Sequence, residues 1–333
     1  MDAGKTTLSE AILYTAGNLR KIGRVDNGDA FLDTYELERS RGITIFSKQA
    51  EVSMNEMDLT LLDTPGHVDF SAEMERTLQV LDYAVLVISG ADGVQGHTLT
   101  LWSLLERYKI PTFLFINKMD QDGTQKDQLL KELQERLSSG CIDFGEKGSD
   151  EFYEMIAMED EALLDHYLES GEITESKIRE MIAERKIFPC FFGSALKLQG
   201  VNEFLSDFAF YTEEREYPEE FGARIFKITR DENGNRLTHL KVTGGNLKVK
   251  TVITENDEKI NQIRIYSGEK YETVNELQAG RICAVTGLSD TIPGQCLGAE
   301  QGGYEPVLEP VLTYQMILPE ETSASVILPK PVS

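Results

Sequence analysis

The chain has 333 residues with 33 Lys+Arg and 57 Asp+Glu, so its formal net charge is −24. This length predicts about two domains with a core that needs no disulfide bonds, and a hydrophobic share of 41% excludes a disordered protein. The apolar runs are far shorter than the roughly 20 residues of a membrane span. No apolar signal-peptide core follows Met1, and four scattered cysteines form no CxxC pair. We therefore expect a cytoplasmic protein with reduced thiols and no membrane partner.

The negative charge is concentrated in one part of the chain. Residues 121–220 contain 25 Asp+Glu against 10 Lys+Arg, a net charge of −15. The overall acidity argues against sequence-independent binding of nucleic acid, which uses clustered Lys and Arg. No sequence-specific DNA partner is expected either. Because the excess lies in one region, it says little about partners of the other regions.

Residues 1–120 alternate short apolar runs with helical patterns. Asp58–Asp63, Tyr83–Ser89 and Ile110–Asn117 are almost continuously apolar, which is typical of strands covered on both faces. Val68–Leu81 and Thr98–Tyr108 have apolar residues at helical spacing. Alternating strands and helices predict an α/β fold with a doubly wound, mostly parallel sheet.

The acidic region continues this pattern. Leu129–Leu137 and Asp160–Leu168 are predicted helices with charged faces exposed to solvent. Phe188–Phe192 is a further buried-strand candidate, followed by a predicted helix at Val201–Tyr211. Pro218–Phe221 has the composition of a linker.

From Gly222 onward the pattern changes to short strands separated by polar turns, which is typical of a β-barrel. We predict a first domain at residues 1–217 with an acidic helical insertion at about 121–187, a β-barrel at 218–315, and a tail or the start of a third domain at 316–333. The predicted strands are Ala223–Thr229, Leu237–Val242, Thr251–Thr254, Ile260–Tyr266 and Arg281–Thr286.

The first candidate site is a phosphate loop at the start of the chain. A phosphate loop needs glycine for close backbone approach, a lysine for the β- and γ-phosphates and a hydroxyl for Mg²⁺, and Lys5 and Thr6 fit the last two roles. The full pattern GxxxxGK[ST] places its first glycine before Met1, so an ordinary helix start is the alternative. The candidate residues are Asp2, Ala3, Gly4, Lys5, Thr6 and Thr7.

A second candidate motif follows the predicted strand that ends at Asp63. Its carboxylate can hold Mg²⁺, and Gly66, after Pro65, can offer an amide to a γ-phosphate. His67 can orient or activate an attacking water. The alternative is a strand-end turn stabilised by the Asp and the Pro-Gly pair.

A third motif, Asn117-Lys118-Met119-Asp120, ends another predicted strand. The Asp120 carboxylate can accept hydrogen bonds from two guanine donors that adenine lacks, which would select GTP over ATP. The Lys118 stem can cover the base, and Asn117 can tie this loop to the phosphate loop.

Two weaker signals complete the set. Ser194 and Ala195 follow the strand at Phe188–Phe192, and their amides can meet the guanine O6, with Lys197 beside the base. Thr44 can offer a hydroxyl to Mg²⁺ and an amide to the γ-phosphate.

The order of the motifs along the chain points to one nucleotide site. Each follows or ends a predicted strand, and open α/β sheets bind ligands at that edge. Together they predict a site for GTP or GDP with Mg²⁺. The motifs lie at residues 2–7, 41–45, 63–67, 117–120 and 193–195.

These motifs resemble those of translation-factor GTPases. ERSRGITI at Glu38–Ile45 and DTPGHVDF at Asp63–Phe70 are similar to elongation factor G and its relatives. Gly23–Glu38 and NKMDQDG at Asn117–Gly123 are most similar to ribosomal-protection tetracycline-resistance proteins. The resemblance continues into the β region, with ELQAGRICAVTGL from residue 276 and PGQCLG from residue 293.

The resemblance implies a GTPase that acts on the ribosome as its partner, where ribosomal RNA positions His67 as the catalytic residue. It implies phosphate and Mg²⁺ binding by Lys5 and Thr6, and switch roles for Thr44 and for residues 63–67. It assigns guanine recognition to Asn117, Lys118, Asp120, Ser194 and Ala195.

Several alternatives remain open at this point. The family's first strand and the phosphate loop's first glycine are expected to be missing from this chain, and so are the family's later domains. The chain therefore corresponds to part of a tetracycline-protection factor, of elongation factor G or of a peptide release factor 3 relative. A non-catalytic remnant is the further alternative.

Overall fold

The computed structural model describes residues 3–24, 30–32, 44, 47–54, 57–67, 71–253, 258–302 and 307–308. The chain divides into two units, unit 1 with residues 1–217 and 266–272, and unit 2 with residues 218–265 and 273–333. All four cysteines are free thiols. Within the described ranges, no helix combines the length and the apolarity that crossing a membrane requires.

A four-stranded parallel sheet forms the centre of unit 1. Its strands, in spatial order, are β3 (Ala84–Ser89), β4 (Thr112–Asn117), β6 (Phe188–Phe192) and β5 (Cys141–Asp143). All neighbouring pairs are parallel. Every residue of β4 is buried, as expected for a strand covered on both faces. The predicted α/β class and the three apolar strands of this sheet are confirmed.

Helices cover both faces of the sheet. On one face the Phe115 ring lies 5.5 Å from the Phe204 ring, and on the other the Trp102 ring lies 4.6 Å from the Phe188 ring. Adjacent residues of a strand point to opposite faces, so the apolar run supplies two cores at once. The helices concerned are α1 (Lys5–Thr15), α2 (Ser71–Leu78), α3 (Gly96–Arg107) and, after the insertion, α8 (Val201–Tyr211).

A separate antiparallel hairpin precedes this sheet. Its strands are β1 (Lys48–Met54) and β2 (Met57–Asp63), paired from Lys48 with Asp63 to Met54 with Met57. The alternating residues Ala50 and Val52 of β1 are buried in the unit 1 core. Asp63 ends a strand as predicted, but the expectation that this strand is covered on both faces is wrong, because among the described strands β2 pairs only with β1, antiparallel, and is mostly half-buried. The predicted helix at Val68–Leu81 is observed as α2, with residues 68–70 outside the described part.

The acidic region is helical, as predicted, but it contains more helices than the sequence indicated. Ser149, Asp160 and Thr174 cap three of them by accepting backbone N–H groups. Phe152 and Ile178 are buried, so each of two unpredicted helices contributes to the unit 1 core. The helices are α4 (Lys126–Arg136), α5 (Asp150–Met158), α6 (Glu161–Ser170) and α7 (Glu175–Ala183), of which α5 and α7 were not predicted.

Unit 2 is built from antiparallel strands, which confirms the predicted all-β class. A six-stranded sheet has the order β11-β10-β13-β8-β7-β14, and β9 pairs with β12 in a separate ladder. The prediction of a strand at Thr251–Thr254 is wrong for its described part, because Val252 makes only an isolated bridge to Lys259. The strands are β7 (Gly222–Arg230), β8 (Arg236–Gly244), β9 (Asn246–Lys248), β10 (Gln262–Ser267), β11 (Lys270–Val274), β12 (Glu276–Gln278), β13 (Ile282–Thr286) and β14 (Cys296–Gly298).

We expect His239 to make the stability of unit 2 depend on pH. Its Nε2 lies 2.8 Å from Thr229 Oγ1, and its ring lies 6.2 Å from the Phe226 ring. Burial, and then the charge of Lys227, lower the pKa of His239 from 6.5 to about 3. The folded state therefore requires a neutral imidazole, while the unfolded chain accepts a proton near pH 6.5. The resulting stability is complete above that pH and is lost as the pH falls toward 3.

We predict that lowering the pH from 7 to 5 destabilises unit 2 by about 1 kcal/mol, because the unfolded chain gains a proton on His239 that the folded chain does not. This figure is below the full linkage effect, since the His239 residue as a whole is half-buried rather than fully buried. Hydrogen exchange of peptides from β8 and β13, corrected for intrinsic rates, measures this loss. His239→Gln should remove the pH dependence, whereas His166→Gln, at an exposed position, should leave it intact. A pH dependence that survives His239→Gln would contradict the assignment.

Candidate functional site

The residues singled out from the sequence lie at one edge of unit 1, except where they fall outside the described residues. Asp63 and Asn117 are the last residues of β2 and β4, and Ser194 follows β6. Lys5 begins helix α1. Asp2 lies outside the described residues, and so do Arg41–Ile43 and Ile45 of the motif at residues 41–45, of which only Thr44 is described.

A triad of oxygen-bearing side chains forms one end of the site. Thr6 Oγ1 donates a hydrogen bond to Asp63 Oδ2 at 2.8 Å and lies 3.1 Å from Thr44 Oγ1. The three residues are buried, with Asp63 only 3% exposed. The helix, the hairpin and the segment containing Thr44 thus present their oxygens to one another. We call Thr6, Thr44 and Asp63 the oxygen triad.

Asn117 joins the beginning of the chain to the loop after β6. Its Nδ2 donates to the Ala3 carbonyl, and its Oδ1 accepts from the Ala195 N–H, both at 2.8 Å. Gly4 has φ +84°, and a Cβ added there would lie 2.5 Å from Asn117 Nδ2. Glycine is therefore required at position 4 both for the left-handed backbone and for this close approach.

Asp120 forms the other end of the site. Its Oδ2 lies 3.1 Å from Lys197 Nζ. Hydrogen bonds from Ser194 and then from Lys197 lower the pKa of the Asp120 carboxyl below its usual range. The carboxylate is therefore held ionised, as an acceptor of hydrogen bonds. The preceding loop is tight, since Lys118 has φ +63° and the Met119 N–H donates to the Gly193 carbonyl at 3.0 Å.

Basic groups lie beside the second motif. The Lys5 ammonium packs directly against Gly66, where an added Cβ would collide with it. His67 is partly buried. Burial, and then the Lys5 charge, lower the pKa of His97, to which His67 contributes a smaller effect. His97 on α3 therefore lies near Lys5 and His67, although its position in the sequence gave no indication that the three are close.

The remaining predicted residues have simpler environments. Thr7 is partly buried in the first turn of α1, and Pro65 is buried after β2. Ala3 contributes its carbonyl to Asn117.

Comparisons with known proteins show which family this chain belongs to. Residues 1–214 match the family described as "Elongation factor Tu GTP binding domain", and residues 220–295 match "Elongation factor G domain 2". The chain belongs to the elongation factor G type of translation-factor GTPases. The two matches follow one another along the chain and agree with the resemblance drawn from the motifs.

The relatives of this elongation factor G-type chain include proteins named elongation factor G and proteins named for tetracycline resistance. Elongation factor G of Mycoplasma pneumoniae is 32% identical over 89% of this chain and 54% of its own length. Tetracycline resistance protein TetP of Clostridium perfringens is 32% identical over 90% and 50%. TetO of Campylobacter jejuni is 34% identical over 82% and 46%. The chain thus spans about half the length of these relatives.

A solved structure shows the same fold. A crystal structure of a Thermus thermophilus protein superposes with a TM-score of 0.79 at 24% identity, over 96% of this chain and 55% of that protein. At this identity the likeness establishes the fold alone.

Several contacting residues of this elongation factor G-type chain were missed by the sequence analysis. Ser47 Oγ lies 2.7 Å from Thr77 Oγ1, which connects the start of β1 to helix α2. The Tyr108 hydroxyl donates to Glu75 Oε1 at 2.7 Å. Glu10 on α1 accepts two backbone N–H groups. These side chains gave no local signal, because their partners lie 13 or more residues away in the sequence.

We predict that Asn117→Ala destabilises unit 1 by about 2–3 kcal/mol, because it leaves the buried Ala195 N–H and the Ala3 carbonyl without their partner. Urea unfolding followed by the fluorescence of Trp102, the single tryptophan, measures the loss. Asn202→Ala on the exposed side of α8 is the matched control and should change the midpoint little. Equal small shifts for both variants would contradict the bridging role of Asn117.

Proposed function

We propose that this chain binds GTP and GDP at the edge formed by β2, β4 and β6, within a GTP-binding domain of residues 1–217 that carries the acidic insertion at about 121–187. The single observation that carries the proposal is the Thr6 hydroxyl, which lies 2.8 Å from Asp63 Oδ2 and 3.1 Å from Thr44 Oγ1. These side chains come from three separate segments. An arrangement that depends on three segments is suited to sensing whether a phosphate is present.

The phosphates would lie at the N-terminus of α1. Backbone N–H groups at a helix start attract anions, and Gly4 turns the chain so that its neighbours can approach oxygen atoms. The Lys5 ammonium, next to Gly66, supplies positive charge for the β- and γ-phosphates. We assign this loop to Asp2, Ala3, Gly4, Lys5, Thr6 and Thr7, together with Asp63, Pro65 and Gly66.

The oxygen triad fits Mg²⁺. Two hydroxyls and one carboxylate are hard oxygen donors, which this ion prefers over nitrogen or sulfur. Thr6, Thr44 and Asp63 would hold it, directly or through water. When bound, the ion would neutralise charge on the phosphate oxygens.

The guanine base would lie between Lys118 and Lys197. The ionised Asp120 accepts hydrogen bonds, which guanine can donate from N1–H and the 2-amino group and adenine cannot. Asn117 fixes this loop relative to Ala195, whose neighbour Ser194 bonds Asp120. The base-binding and phosphate-binding ends are thus joined through one amide side chain.

Hydrolysis would use His67. It follows Gly66, which lies against Lys5, and its ring would orient a water toward the γ-phosphate. We propose that this step is stimulated on the ribosome, as part of a longer factor that includes the β domain at 218–315. Relatives named for tetracycline resistance support a ribosomal-protection role, and the relative named elongation factor G supports translocation as the second candidate.

We predict that Asp120→Asn reverses the base preference of the chain from GTP toward XTP. The amide presents an N–H donor, which matches the extra xanthine carbonyl and leaves a guanine donor unpaired. The change in the GTP-to-XTP affinity ratio should be at least about 100-fold. Competition titration against a fluorescent guanine nucleotide measures it. Asp122→Asn, exposed two residues away, is the matched control, and an unchanged ratio in Asp120→Asn would contradict the base contact.

We also predict that the full-length gene protects a tetracycline-sensitive bacterium and that His67→Ala abolishes this protection. The variant should keep its nucleotide affinity, because His67 acts on water rather than on binding, while ribosome-stimulated GTP hydrolysis falls by at least about 100-fold. Growth at graded tetracycline concentrations and phosphate release with ribosomes measure the two effects. Stimulated hydrolysis without protection would favour translocation, and loss of nucleotide binding in His67→Ala would show a structural role.

A further inference from the structure

A short loop carries Asp120 from the end of β4 toward the start of α4. Its backbone turns at Lys118, which has φ +63°, and at Gly123, which has φ +88°. A lysine is held in the left-handed region by its surroundings, because its own side chain disfavours that conformation. The shape of the loop between these two turns therefore depends on contacts that close it.

The hydroxyl of Thr124 makes such a contact on both sides of Asp120. Thr124 Oγ1 lies 3.0 Å from the carbonyl oxygen of Met119 and 2.9 Å from the carbonyl oxygen of Gln121. A hydroxyl has one proton to donate, so the two carbonyls share it. Met119 and Gln121 are the residues directly before and after Asp120. One side chain therefore holds the backbone on both sides of this carboxylate.

The methyl group of Thr124 has a separate role in packing. A Cβ added at Gly90, directly after β3, would lie 3.5 Å from Thr124 Cγ2 and 2.8 Å from Met119 Sδ. The Gly90 N–H donates to the Asn117 carbonyl at 2.7 Å. The Asp120 loop thus packs on the chain after β3 through apolar groups, while the Thr124 hydroxyl bonds only within the loop. The hydroxyl can therefore be removed while the methyl contact is kept.

The side chain of Asp120 is held by other groups. Lys197 Nζ lies 3.1 Å from Asp120 Oδ2, and Ser194 donates a second hydrogen bond to the carboxylate. These contacts act on the carboxylate oxygens and leave the position of the backbone to Thr124. Both have to be set for the two oxygens to point in one direction, because hydrogen bonds weaken steeply when they are misaligned.

We propose that Thr124 is a positioning residue for Asp120 and that its hydroxyl raises the affinity of the site for guanine. The inference rests on the function proposed above. Removing the hydroxyl leaves the carbonyls of Met119 and Gln121 without this partner and lets the backbone of Asp120 shift. The bond from the guanine 2-amino group to the carboxylate then weakens. Thr124 acts through the loop that carries Asp120, so the effect concerns the base and not the phosphates.

The test compares the affinities of the chain for GDP and for inosine diphosphate, which has the same phosphates but lacks the 2-amino group. Thr124→Val removes the hydroxyl and keeps the methyl groups. The expected result is about a fivefold loss of affinity for GDP and less than about twofold for inosine diphosphate. Thr100→Val is the matched control, because this exposed hydroxyl also donates to a backbone carbonyl, that of Gly96 at 3.3 Å. It should leave both affinities unchanged.

The conservative variant Thr124→Ser separates positioning from general stability. It keeps the hydroxyl, so it should retain the wild-type preference for GDP over inosine diphosphate, even though it loses the methyl contact near Gly90. Equal weakening of the two nucleotides in Thr124→Val would overturn the proposal. A loss of preference in Thr124→Ser as large as that in Thr124→Val would also overturn it, because packing and not the hydroxyl would then be responsible.

A second variant covers the case in which Thr124→Val does not fold. Thr124→Ala also removes the hydroxyl, and it should reduce the same preference. If both variants unfold, Thr124 is structural and the positioning role is overturned. If the wild-type chain binds neither nucleotide, the proposed function itself fails, which is a different result from an unchanged preference in a chain that binds both.

Discussion

The hydroxyl of Thr6 connects three parts of unit 1 that are distant in the sequence. It belongs to α1, donates to Asp63 at the end of β2 and meets Thr44. Buried hydroxyl and carboxylate groups need hydrogen-bond partners, and here the three side chains are partners of one another. The same group of oxygens is suited to binding a hard cation such as Mg²⁺. Protein stability and the proposed function therefore depend on the same contact.

Asn117 extends this arrangement to the end of the site where we propose that the base binds. Because β4 is buried along its whole length, its last residue is placed firmly and its amide reaches Ala3 and Ala195. Neutral amides can donate and accept at once, so one side chain satisfies two loops. Asp120, three residues later, is held ionised by Ser194 and Lys197. The site is thus organised by the sheet rather than by its loops alone.

The sequence predicted those parts of the fold whose signal is local. The apolar runs identified β3, β4 and β6 because a strand covered on both faces must be apolar along its length. The three-residue β5 was too short to give a pattern, and α5 and α7 carry charged faces in an acidic region. The motifs led to residues that the structure places at one edge of unit 1, and their part in binding stays a prediction. Glu10 and Ser47 were missed because only tertiary contacts give them partners.

The most direct test of the account is a calorimetric titration of this chain with GTP, GDP and ATP, each with Mg²⁺ and with EDTA. If the oxygen triad and Asp120 form one site, both guanine nucleotides should bind with dissociation constants in the micromolar range or below, and ATP should bind at least about 100-fold more weakly. EDTA should weaken the binding of GTP more than the binding of GDP. Equal binding of ATP and GTP, or GTP binding that is indifferent to Mg²⁺, would contradict it.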